Sequence, residues 1–157
     1  QLLESEGFLR IVPKHGILIL HASAQRMSDL LELLMSLIIF AFEQNKRTKA
    51  AEITAIVDRF YDTHASAEAA TPEQWAAAER DLWQQLVALG QNREMMHFFE
   101  VTLGKCRWDI NVRRWKTAYR TETEACLRQL LASMVKKNDR EGPDFFAYLF
   151  IWKKTWL

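Results

Sequence analysis

Residues 71–92 read TPEQWAAAERDLWQQLVALGQN, and both ends of that stretch carry helix punctuation. Thr71 supplies a side-chain oxygen for the unpaired first-turn amides, and Pro72 suits the first helical position, where an N–H has no partner to lose. Trp75, Leu82, Trp83, Leu86 and Val87 then recur at helical spacing up to Gly90, which predicts an amphipathic helix over this stretch. A new helix opens near Asn92. Such a helix needs neighbours to cover its apolar face, and the pattern repeats on either side of it.

Upstream, a helix is predicted from Ser28 to Glu43, closed by Gln44, Asn45 and Lys46, and a second from Thr48 to His64 with Ala51, Ile53, Ile56, Val57 and Phe60 near one face. Downstream, Met95, Met96, Phe98, Phe99, Val101, Leu103, Trp108, Ile110 and Trp115 mark a long helix from Asn92, bent near Gly104. Further helices are predicted from Thr121 to Lys137 and from Pro143 toward Trp156. About six helices with short connections make an all-α antiparallel bundle. The first twenty residues differ. Gly7 ends a last helical turn at Leu2, Leu3 and Glu4, and two β-prone runs, Phe8 to Val12 and Ile17 to Leu20, flank Pro13, Lys14, His15 and Gly16. That order predicts a short β-hairpin with a basic tip. A hairpin alone is marginal in water and needs support from elsewhere.

The chain has 157 residues, enough for one real core and too few for two complete domains. Its 21 basic and 20 acidic residues leave a net charge of +1. Any grip on DNA must therefore be local. Cys106 and Cys126 lack metal-ligand spacing and fit reduced thiols of a cytoplasmic protein. The most apolar run, Leu30 to Phe42, is interrupted by Glu32 and Ser36, so neither a leader nor a membrane span is predicted. No phosphate loop, nucleophile beside a histidine or persuasive carboxylate pair is visible, and an enzyme is not expected.

Leu3, Glu6, Gly7, Phe8, Pro13 and Gly16 resemble the close of the winged helix in the GntR family of bacterial regulators. Asp29, Leu30, Leu31, Glu32 and Leu33, and then Leu82, Leu86, Gly90 and Asn92, resemble patterns of the FCD effector domain that follows it in the fatty-acid-regulator branch. The resemblance implies two parts. Residues 1–22 would end a truncated winged helix, with Lys14, His15 and Gly16 at the DNA, and residues 23–157 would be a helical effector-binding and dimerisation domain.

Many members of that family hold a divalent metal through one Asp and three His. The corresponding positions here are Glu79, Trp83, about Arg128 and about Phe150, and the four histidines, His15, His21, His64 and His97, lie outside the last two helices. The resemblance thus implies no metal and no cofactor, although a site built from Glu79, His64 and His97 is conceivable. Leu34 stands where the family places an arginine for a carboxylate. An apolar or acyl effector lined by Leu34, Glu79, Trp83, Phe99, Arg128 and Phe150 is therefore expected, with Arg128 a candidate ion-pair partner for Glu79. The basic run Arg107, Arg113, Arg114, Lys116 and Arg120, interleaved with Trp108, Trp115 and Tyr119, reads as a solvated face, the alternative being a partner for a phosphate or carboxylate at a pocket mouth. The expected protein is a ligand-responsive transcription regulator, a homodimer on operator DNA. The rival from another class is a helical dimerisation module with a filled core and no effector; a TetR-like receptor would lack the hairpin.

Overall fold

The computed structural model describes residues 9–12, 16–19, 24–65, 70–106, 108–136 and 139–156. Strands β1 (Leu9–Val12) and β2 (Gly16–Ile19) pair antiparallel, from Leu9 opposite Ile19 to Val12 opposite Gly16. Two four-residue strands do not make a wing by themselves. Lys14, His15 and the helical turn expected before them lie outside the described residues, and Gly16 opens β2.

The remainder is an all-helical bundle: α1 (Ala24–Asn45), α2 (Ala50–Ala65), α3 (Pro72–Ala88), α4 (Arg93–Lys105), α5 (Trp108–Arg113), α6 (Thr117–Lys136) and α7 (Glu141–Trp156). In α1, Met27, Leu31, Leu34, Met35, Ile38, Ala41 and Phe42 are buried, a stripe at three- and four-residue steps. Thr71 caps α3 as its sequence demands: Oγ1 accepts the Gln74 amide at 3.3 Å, and Gln74 Oε1 accepts the Thr71 amide at 2.8 Å. Asn92 caps α4 by accepting the Met95 amide at 3.0 Å. The turn between these helices puts its positive φ, 51°, on Gln91 rather than on Gly90. A Cβ on Gly90 would stand 3.3 Å from Met95 Cε, a tight approach that the flexible methionine end can relieve.

The long helix expected after Asn92 is two helices. Gly104 lies within α4, and the chain leaves the helix at Cys106, whose backbone is extended. α5 then runs only from Trp108 to Arg113, and α6 starts at Thr117, earlier than expected. These breaks rotate the faces that follow, with consequences for the site below. α7 opens with Pro143 in its first turn, where its missing N–H costs nothing.

Helix α1 packs against α3, α4 and α7; α2 packs against α3 and α6; α6 and α7 lie side by side; α5 bridges α3 and α7. Phe42 and Phe145 lock α1 to α7 with ring centroids 5.5 Å apart. This arrangement surrounds α3, so its inward carboxylate, Glu79, is approached from several helices at once. No described helix is long and apolar enough to cross a membrane.

Candidate functional site

Glu79 and Trp83 lie one turn apart on α3 and face the core, where both are buried. A buried carboxylate is tolerable only if its charge is met by donors. Those donors come from three segments: α7, α3 itself and the turn after α5. Glu79 Oε1 accepts Tyr148 Oη at 2.9 Å and Trp152 Nε1 at 2.8 Å, with Trp83 Nε1 more distant at 3.5 Å. Oε2 accepts Trp115 Nε1 at 2.8 Å and faces Arg114 Nε at 3.1 Å. The Arg114 contact is an ion pair rather than an aligned hydrogen bond.

Arg114 is itself held on every side. Its guanidinium donates to Asn111 Oδ1 and lies 5.1 Å from the Trp152 ring, while its carbonyl accepts from Thr123 Oγ1 at 3.1 Å. Trp115 stacks on Trp75 with centroids 4.9 Å apart and planes 16° from parallel. Trp83, Tyr148 and Trp152 form a second aromatic group, with centroid separations of 5.8 to 6.4 Å. Burial, and then the facing Glu79 carboxylate, push the Tyr148 phenol well above its usual range. Burial pushes the Cys106 thiol up to about 11, which keeps it unreactive.

A carboxylate has about four lone-pair sites. Tyr148 and Trp152 fill those of Oε1, with Trp83 at the limit of reach, while Oε2 accepts from Trp115 and faces Arg114, which supplies the countercharge. The surrounding indole and guanidinium N–H groups offer no lone pair to a metal, so the residues present do not fit the family's cation. His97 is exposed on α4, and the side chain of His64 lies outside the described residues. Among the described residues, no group of three His, Cys, Asp or Glu side chains could hold an ion.

Leu34, Glu79, Trp83 and Phe99, four of the six residues expected at the pocket, do line one cavity, together with Leu31, Arg114 and Trp152. Its volume is about 20 Å³. That is room for a water, whereas small-molecule sites take roughly 300 Å³ or more. The other two residues must be reassigned. Arg128 follows Leu127 of the buried stripe of α6 and therefore turns outward; it is 55 % exposed, bonds Glu124 at 2.7 Å and lies 5.4 Å from the Tyr61 ring. The ion pair expected from it is made by Arg114. Phe150 is two residues from both Tyr148 and Trp152, on the opposite side of α7, and is 64 % exposed. Tyr148 and Trp152, one turn apart, occupy the inward place instead. Within the basic run Arg114 is buried and faces the Glu79 carboxylate, in place of the solvated face preferred for the run as a whole. The adjacent Trp115 was the available hint.

No protein-family model matches this chain, and no curated protein matches it. A solved structure does, described by the words "Lar controls the expression of the Listeria monocytogenes agr system and mediates virulence". The match covers 98 % of this chain and 74 % of that one, with a TM-score of 0.66 and 11 % sequence identity. At that identity the likeness is one of fold.

Proposed function

We propose that this chain is the helical part of a GntR-like DNA-binding transcription regulator of the FCD branch, whose bundle pairs chains and holds their DNA-reading ends. The observation that carries the reading is the satisfaction of Glu79 from within: the carboxylate at the position that aligns with the family's metal ligand is met by the chain's own tyrosine and indole donors and by the Arg114 countercharge. A core satisfied in this way needs no cofactor, and we assign it no reaction. Two further points support it. The similar structure is named for control of gene expression, and the Leu9–Ile19 ribbon lies just ahead of the bundle, where a wing carrying Lys14, His15 and Gly16 would stand. Such a protein works on operator DNA in the cytoplasm. Enrichment of bound fragments from a random DNA pool by the purified full-length protein tests the reading. A two-fold symmetric site, with affinity falling steeply with salt, is expected; absence of any enriched sequence would reject it.

A second reading keeps an effector but moves it outward. A surface cleft of about 610 Å³, lined by Gln84, Glu100, Gly104 and Cys106, shares Arg80, Leu103 and Asn111 with the small cavity. Its polar rim suits a small polar ligand rather than an acyl chain. Mass spectrometry of molecules extracted from the purified protein separates the two readings.

A further inference from the structure

Trp115 meets Glu79 through its indole N–H, and the face of its ring leads through the stacked Trp75 to a further aromatic group. Phe60 on α2 lies edge-on to both Tyr61 and Trp75, with centroids 5.9 and 6.2 Å away. Phe60, Trp75 and Trp115 are buried, and Tyr61 is half-buried. The four rings and Leu127 line one small cavity whose remaining walls are Glu124 and Arg128.

Positive charge rests on this group twice. Arg128 Cζ lies 5.4 Å from the centre of the Tyr61 ring, and Arg120 Cζ lies 5.2 Å from that of Trp75. At such distances a cation is drawn to the negative face of the ring. Glu124 joins the two arginines, bonding Arg128 at 2.7 Å and standing 3.9 Å from Arg120. Residues 120, 124 and 128 follow at four-residue steps, so one stripe of α6 presents cation, anion and cation beside the rings.

The rings and the arginine differ in permanence. Phe60, Trp75 and Trp115 are fixed by the core, whereas the Arg128 side chain is 55 % exposed and its exposed pair with Glu124 does little to hold it. With Arg128 in place only about 10 Å³ is open, so its guanidinium is the stopper of the cavity. Turned out into water, it leaves an aromatic wall with a carboxylate at the rim. The side chains of Phe60, Trp75, Trp115 and Leu127 offer no acceptor, which penalises an amine with N–H groups to satisfy and spares a cation that has none. We propose that Arg128 stands in a site for a quaternary ammonium, whose trimethylammonium head replaces the guanidinium on Tyr61 and Phe60 with Glu124 as counter-ion. The exchange is charge for charge, and Arg120 keeps its place on Trp75. The site is separate from the Glu79 core and does not depend on the regulator reading.

Saturation-transfer NMR of the choline methyl groups, with the purified full-length protein at constant ionic strength, tests the site. The parent is expected to give a saturable response in the millimolar range that ammonium chloride does not displace. Arg128→Ala should tighten it at least about threefold, because the closed, arginine-filled state no longer competes. In that background Tyr61→Leu should weaken binding at least about tenfold, and Glu124→Gln, which alters a part-exposed group at the rim and leaves the rings alone, at least about fivefold. Flotation with phosphatidylcholine vesicles tells the two sources of such a head apart: binding lost in Tyr61→Leu assigns a lipid headgroup, and a choline response without flotation assigns a free cation. No saturable response in Arg128→Ala, weaker binding there than in the parent, or a response indifferent to both Tyr61→Leu and Glu124→Gln overturns the inference. Failure to enrich DNA would strike the regulator reading and not this site.

Discussion

Replacing Glu79 by Gln should unsettle the bundle more than any other isosteric change in it. The amide keeps the volume but removes the countercharge of Arg114, and offers one carbonyl where two oxygens now accept from Trp83, Trp115, Tyr148 and Trp152. If the carbonyl turns to Tyr148 and Trp152, the amide N–H groups face Trp115 Nε1 and the buried guanidinium. Breaking a buried pair costs about 3–5 kcal/mol and leaving a buried N–H unmet about 1–3 kcal/mol. Partial relaxation brings the loss to about 5 kcal/mol, a large share of the roughly 5–15 kcal/mol typical of a domain. At about 2–4 °C per kcal/mol for this size, the melting temperature falls by about 10–20 °C. Urea unfolding followed by tryptophan fluorescence reads it directly, because four indoles lie in the two ring groups around Glu79. Removing the stranded charge should soften the damage: Glu79→Gln with Arg114→Met is expected to cost about 2 kcal/mol less than the two single changes added. A Glu79→Gln protein within about 0.5 kcal/mol of the parent, or additive effects in the cycle, would refute the idea that this carboxylate ties the helices together.

Arg128→Ala, which removes an exposed pair with Glu124, should shift urea stability by no more than about 0.5 kcal/mol. Thr71→Ala removes one arm of the capping box on α3 and should cost about 1 kcal/mol in the same assay. Tyr148 holds its proton in the folded chain beyond the usual value of 10.0. The unfolded chain then binds fewer protons once pH rises past about 10, so unfolding free energy should fall as pH climbs from there, and the Tyr148→Phe protein should lose that component of the slope. Cys106, with its thiol at about 11, should resist iodoacetamide in native protein at pH 8 and react promptly in urea, as peptide mapping would show.

The capped ends of α3 and α4 were legible because Thr71, Pro72 and Asn92 act within one turn, and local chemistry needs no knowledge of the fold. Leu34, Glu79 and Trp83 could be placed together because the FCD resemblance aligned them with one site, and each lies within an unbroken helix whose phase carries from end to end. Beyond Lys105 that continuity fails: the extended residue at Cys106 and the turn after Arg113 reset the phase, and no local pattern gives the angle of the reset. Arg114 was hidden among arginines of similar appearance, since its partner Glu79 is far away in sequence. In α7 the run Phe145, Phe146, Ala147, Tyr148, Leu149, Phe150, Ile151, Trp152 has no polar residue to mark an outer face. A two-residue error there exchanged Phe150 for the inward Tyr148 and Trp152. The same ambiguity has a physical source, because a helix apolar on both sides offers no polar stripe to say which side meets the core.

Native mass spectrometry of the purified protein puts the central claim, a self-satisfied core in a chain that pairs, to the most direct test. A species of twice the mass of one polypeptide, with no further mass, is predicted. A stoichiometric ion or fatty acyl group riding on the protein, or a single chain at every concentration, would contradict it.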